Sequence, residues 1–124
     1  MRFNEAHFPG RAPVDAYGNG GFRFADMSHR GSILCLPSGI YAWDVATPQE
    51  IRLDAFSRVM AEQGLEILLV GTGKDLRPLP ESLRESFQKK GIRADPMGTG
   101  AAARTFNVLL SEGRAVGAAL LAID

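Results

Sequence analysis

The segment Glu66-Ile67-Leu68-Leu69-Val70, bounded by Gly64 and Gly71, is the strongest constraint on the fold. Its apolar residues do not alternate with polar ones, so a strand built from them is buried on both faces, as at the centre of a parallel sheet. Parallel neighbours require long crossover connections, usually helical, and the following residues supply them. Glu81 to Lys90 places acids early and lysines late, in agreement with the helix dipole, and Gly91 closes it. Ile92-Arg93-Ala94-Asp95 is the next strand. Residues 99–111 carry an apolar stripe of Ala102, Phe106, Leu109 and Leu110 at helical spacing. Glu112-Gly113 then turns the chain into a last apolar strand over Ala115–Ile123.

Upstream, Phe22-Arg23-Phe24-Ala25 alternates as a half-buried strand does. Ile33–Leu36 and Ile40–Trp43, separated by Pro37-Ser38-Gly39, predict a hairpin. Thr47-Pro48-Gln49-Glu50 has the form of a capping box, and Leu53, Phe56, Val59 and Met60 place a helix over about 53–63. Three strands therefore precede an alternation of helix and strand, the pattern of an α/β domain. Residues 1–19, rich in Pro, Gly and polar groups, read as an arm laid on the surface of a single domain over 20–124. Phe8 is one of the residues expected to pin it down.

Composition narrows the function classes. The chain has 124 residues with 14 basic and 14 acidic side chains, which suits one domain and removes any general electrostatic drive toward nucleic acid. No stretch approaches the ~18 apolar residues of a membrane span, and nothing at the N-terminus has a signal-peptide layout. The single cysteine, Cys35, lies in an apolar run and reads as a small buried hydrophobe. A cytoplasmic, reducing location is expected.

No catalytic signature is present. Gly73-Lys74 is not a phosphate-binding P-loop, because Leu68 and Asp75 stand where that motif needs Gly and Ser or Thr. His7 and His29 are isolated, so no metal site is expected. Gly98-Thr99-Gly100-Ala101-Ala102-Ala103 fits a Gly-x-Gly-x-x-Ala fingerprint, but only one strand follows it, and the required acid would be Asp124. No cofactor is assigned. What survives is geometric. If the strands ending at Gly71-Thr72-Gly73 and Gly98-Thr99-Gly100 are parallel, both turns lie at the carboxyl edge of the sheet, where open α/β folds place ligands. Gly71, Thr72, Gly73, Thr99, Gly100, Arg104, Thr105 and Asn107 are then a candidate anion pocket, with Arg104 supplying a two-pronged contact. The same glycines and polar groups also serve tight turns and local bonds without any ligand.

Collectively, Leu68-Leu69-Val70-Gly71-Thr72-Gly73, Leu79-Pro80, Met97-Gly98-Thr99, Arg104-Thr105-Phe106-Asn107-Val108-Leu109 and Glu112-Gly113-Arg114, with Pro37-Ser38-Gly39 and Trp43, resemble the family containing the third assembly factor of mitochondrial respiratory complex I. The resemblance spans about residues 20–123. It implies a three-layer α/β fold with a mixed central sheet and an additional β-hairpin layer. It also implies a non-enzymatic role in assembling the NADH:ubiquinone oxidoreductase with protein partners, on the matrix side in a eukaryote. Gly98 stands where that family leads one to expect an acid, Ala103 where Cys is frequent, and Phe106 where Tyr is usual, which counts against catalysis. Trp43 and Phe8 are the candidate interface residues, and the hairpin edge leaves a homodimer open.

Overall fold

Residues 6–124, with side chains from Phe8 onward, are described by a computed structural model. Among the described residues, nine strands form two sheets. They are β1 (Ala6–Phe8), β2 (Ala16–Gly18), β3 (Gly21–Phe24), β4 (Met27–Arg30), β5 (Ser32–Leu36), β6 (Gly39–Trp43), β7 (Ile67–Gly71), β8 (Arg93–Met97) and β9 (Val116–Leu120). The main sheet has the order β1-β6-β5-β9-β7-β8, and β2-β3-β4 is a separate meander. As the apolar run at 67–70 requires, β7 is flanked by two parallel neighbours, β8 and β9, while β5 pairs antiparallel with β9 and with β6. The sheet is therefore mixed. Within the expected arm, β1 pairs with β6, β2 pairs with β3, and residues 1–5 lie outside the described residues.

The period-two geometry of each strand sorts its side chains into two cores. On one face Leu34, Leu36, Leu68, Val70, Ala119 and Leu121 pack against Phe56, Val59, Leu83 and Phe87. Leu83 and Phe87 belong to α2 (Glu81–Lys89), the crossover from β7 to β8, and Val59 to α1 (Ser57–Ala61). On the other face Ile33, Cys35, Leu69, Ala118 and Leu120 meet Ala102, Ala103 and Phe106 of α3 (Thr99–Ser111). Phe22 and Phe24 of the small sheet close this second core, together with Ala12 and Val14. The result is three layers. The additional β layer is the three-stranded meander, and the hairpin at 33–43 belongs to the central sheet.

Two local expectations are corrected. The helix placed over 53–63 is instead a 3-10 turn at Leu53–Phe56 followed by the short α1. The Ala55 carbonyl accepts a hydrogen bond from Trp43 Nε1 at 2.8 Å, and Phe56 leaves helical geometry at φ −117°, ψ 22°, so the helical ladder cannot run through. Trp43 is consequently not a surface anchor. It is 5% exposed, with its ring 5.4 Å from that of Phe56. Phe8 is half-buried against the second core.

Candidate functional site

Parallel pairing brings the ends of β7, β8 and β9 to one edge of the sheet, as the sequence predicts. There the two Gly-Thr-Gly turns bind each other. The Thr72 amide donates to the Met97 carbonyl at 2.8 Å, the Thr99 amide to Gly73 at 2.7 Å, and the Leu121 amide to Gly71 at 3.0 Å. The Thr99 hydroxyl, fully buried, donates to the Leu121 carbonyl at 2.7 Å and accepts from the Gly73 amide at 3.1 Å. The Thr72 hydroxyl donates to the Asp75 carbonyl at 2.6 Å and accepts from the Arg77 amide at 3.0 Å. A hydroxyl has one proton to give; that of Thr99 ties the ends of β7 and β9 to the start of α3, and that of Thr72 closes the loop over residues 72–77.

The glycines answer to the same closeness. A methyl on Gly71 would lie 2.9 Å from the Thr99 Cα, and Gly73 has a φ of +111°, which favours a residue without a side chain. Gly100, in the first turn of α3, is covered by the phenol of Tyr17, where a methyl would collide with the hydroxyl. Arg104 donates to that hydroxyl at 3.2 Å. Asn107 accepts from the Val14 amide at 2.9 Å and donates to the Val14 carbonyl at 2.8 Å. Thr105 is half-buried on the same helix.

The eight candidate pocket residues therefore separate. Thr72 and Gly73 line an open cleft of about 340 Å³ at the carboxyl edge, with Lys74, Asp75, Arg77 and Asp124. Arg104 and Asn107 grip residues 14–17 elsewhere, and Gly71, Thr99, Gly100 and Thr105 do not line the cleft. Sequence reasoning missed Lys74 and Arg77 as cleft residues. It also missed Tyr17 and Val14 as partners of α3, and no local pattern marks a bond to the Val14 backbone 93 residues away.

A second polar cluster fastens the β5–β6 turn. The Ser38 amide and hydroxyl both donate to Glu62, at 3.1 and 2.9 Å, the Tyr41 hydroxyl lies 2.6 Å from Ser38 Oγ, and Arg58 sits over the Tyr41 ring. Burial pushes the Cys35 thiol up to about 12, so it stays protonated and inert at neutral pH. Among the described residues, no group of three or more His, Cys, Asp or Glu side chains could hold a metal ion. None of their helices is long and apolar enough to cross a membrane.

Residues 14–121 match the family described as a protein of unknown function, DUF498/DUF598. The chain is 42% identical over 122 residues to an uncharacterized protein of Rhodobacter capsulatus, covering 98% of this chain and 93% of that one. It is 33% identical over 118 residues to mouse NADH dehydrogenase [ubiquinone] 1 alpha subcomplex assembly factor 3, covering 94% of this chain and 64% of that protein. It thus spans less than two thirds of the mouse protein's length. A crystal structure from Bartonella henselae, named an outer membrane protein, superposes with a TM-score of 0.91 at 60% identity, over 95% of this chain and all of that one. With the match running from Val14 to Leu121, over β2 to β9 and α1 to α3, the chain belongs to the DUF498/DUF598 family, among whose relatives is complex I assembly factor 3.

Proposed function

We propose that this chain is a non-catalytic interaction module that helps assemble a respiratory NADH:ubiquinone oxidoreductase. The observation that carries the reading is the 33% identity to the mouse assembly factor along 94% of this chain. The site geometry supports it, because the hydroxyls of Thr72 and Thr99 are spent on holding backbone rather than aimed at a substrate. In this reading the chain reaches a membrane-bound complex through protein partners. The test is an affinity pull-down from cells that make the protein, compared with a tag-only control, together with native-gel analysis of the complex after deletion of the gene. Complex I subunits or assembly factors are enriched and subassemblies accumulate if the reading holds. Recovery of the protein alone, with normal complex I, refutes it.

A second reading, an anion-binding module, is favoured by the cleft at the carboxyl edge, which presents Lys74 and Arg77 beside Gly73. An anionic metabolite would raise the melting temperature of the wild type but not of Lys74→Ala/Arg77→Ala. The original pocket assignment instead requires the shift to vanish in Arg104→Ala. A metabolite panel that shifts nothing removes both versions.

A further inference from the structure

The outer face of the β2–β3–β4 meander is cationic, and among the described residues no other element packs on it. Antiparallel register pairs Ala16 with Arg23, Gly18 with Gly21, Arg23 with Ser28, and Gly21 with Arg30. Opposed residues share a face, so Arg23 and Arg30 project on one side while Phe22 and Phe24 fill the core on the other. Beside the arginines the same face carries only small residues, Ala16 and Gly18 on β2, Gly21 on β3 and Ser28 on β4. The trough measures about 430 Å³, and among the described residues no acidic side chain lines it. Arg23 is steadied across the sheet by a 2.8 Å bond to Ser28 Oγ, which leaves most of its donors free. The Arg30 guanidinium has no hydrogen-bond or ion-pair partner among the described residues.

We propose that this trough docks an extended acidic segment of a partner protein, a deepening that rests on the interaction reading above. Two measures select that occupant. Arg23 and Arg30 are diagonal cross-strand neighbours, about 7–8 Å apart at their bases. Alternate side chains of an extended peptide repeat at about 7 Å, so carboxylates at positions i and i+2 meet one arginine each while the glycine floor admits the backbone. A single small anion in so open a trough would make only a screened, exposed pair. Single-stranded nucleic acid matches the charge but needs aromatic faces for stacking, and Tyr17, the exposed aromatic here, is already laid against Gly100 and Arg104.

The test uses fluorescence anisotropy with a fluorescein-labelled eight-residue peptide alternating Glu and Thr, at low and moderate NaCl. The wild type binds it, more weakly as salt rises. Arg30→Gln weakens binding about threefold to fivefold, and Arg23→Gln/Arg30→Gln about tenfold or more, with unchanged melting temperatures. Arg30→Gln alone suffices if the double variant is unstable, since Arg30 supports nothing in the fold. Absence of wild-type binding at low salt overturns the proposal. So does equal binding by the double variant, equally tight binding of Glu-Glu-Thr-Thr-Glu-Glu-Thr-Thr, which has the same composition but no carboxylates at i and i+2, or tighter binding of oligothymidylate. Its fate is separable from that of the assembly reading. If the double variant still recovers complex I partners undiminished, the trough is not their dock and the assembly reading stands. If the peptide binds as expected but the wild type recovers no such partners, the trough stands and the assembly reading falls.

Discussion

Asn107 gives the sharpest test of how α3 is used. Its amide makes two bonds to the backbone of Val14, at 2.9 and 2.8 Å, and Val14 is 5% exposed. Asn107→Ala removes both partners and leaves a nearly buried N–H and C=O unpaired. Two net hydrogen bonds are worth about 2 kcal/mol, and unrelieved desolvation of the orphaned pair raises the loss toward about 4 kcal/mol. With an unfolding entropy of about 0.26 kcal/mol/K for 124 residues, that is a fall in Tm of about 8–15 °C. Asn107→Asp also destabilises, because a carboxylate then faces the Val14 carbonyl. Arg104→Ala loses only the exposed 3.2 Å contact to Tyr17, and lowers Tm by no more than about 2 °C. Thermal melts by circular dichroism measure all three, and hydrogen exchange at the Val14 amide localises the effect. If Asn107→Ala melts within about 2 °C of the wild type, or Val14 stays protected, Asn107 is not a clamp and its role as a ligand residue revives.

Glycine substitutions separate the two turns: Gly71→Ala meets backbone at 2.9 Å and costs about 2–3 kcal/mol. Gly100→Ala displaces only the end of the Tyr17 side chain and gains up to about 1 kcal/mol of helix propensity, so its denaturation midpoint stays near that of the wild type while Tyr17 becomes more reactive to nitration. Because burial raises the Cys35 pKa from 9.0 to about 12, the stabilisation linked to its protonated state is complete below about pH 9 and is lost as pH climbs toward 12. Thiol reagents should then label Cys35 only under denaturing conditions, and Cys35→Ala should flatten the alkaline limb of the stability curve. The Ala46 and Thr47 amides hold the Glu50 carboxyl below its usual range, so its contribution is present at neutral pH and is lost as pH falls through that lowered value. Glu50→Gln removes this acid sensitivity in urea melts compared at pH 7 and pH 3.

The inner strands β5, β6, β7 and β9 were legible because they are written in apolar runs, whereas β1, Ala6-His7-Phe8, has none and was read as part of the arm. The small sheet was half legible. Phe22 and Phe24 declare β3, but β2 and β4 carry Ala16-Tyr17-Gly18 and Met27-Ser28-His29-Arg30, which have no apolar alternation. Asn19-Gly20 is a hairpin signal that stood in the sequence, and both residues have positive φ. The second turn carries no such signal. Ala25 and Asp26 adopt φ of 50° and 61°, a conformation alanine resists, and Ala25 packs against the second core. Tertiary contact, not local preference, makes that turn.

The candidate pocket illustrates a different ambiguity. Glycines that let a backbone come close, threonine hydroxyls at a helix start, and an Arg and Asn one to two turns farther on are what an anion site needs. They are also what a chain needs to grip itself, because its own carbonyls and amides offer a ligand's chemistry at no cost in association entropy. Sequence spacing cannot separate the two cases, since the partners, Leu121, Tyr17 and Val14, lie 22, 87 and 93 residues away. What can separate them is satisfaction. A group whose bonds are complete within the fold has little left for a ligand, whereas the guanidinium of Arg30 and the cleft-side Lys74 and Arg77 are exposed. Binding on this protein is therefore to be sought less in the polar groups of the glycine turns, which are consumed, than in the exposed cations of the meander face and of the carboxyl-edge cleft.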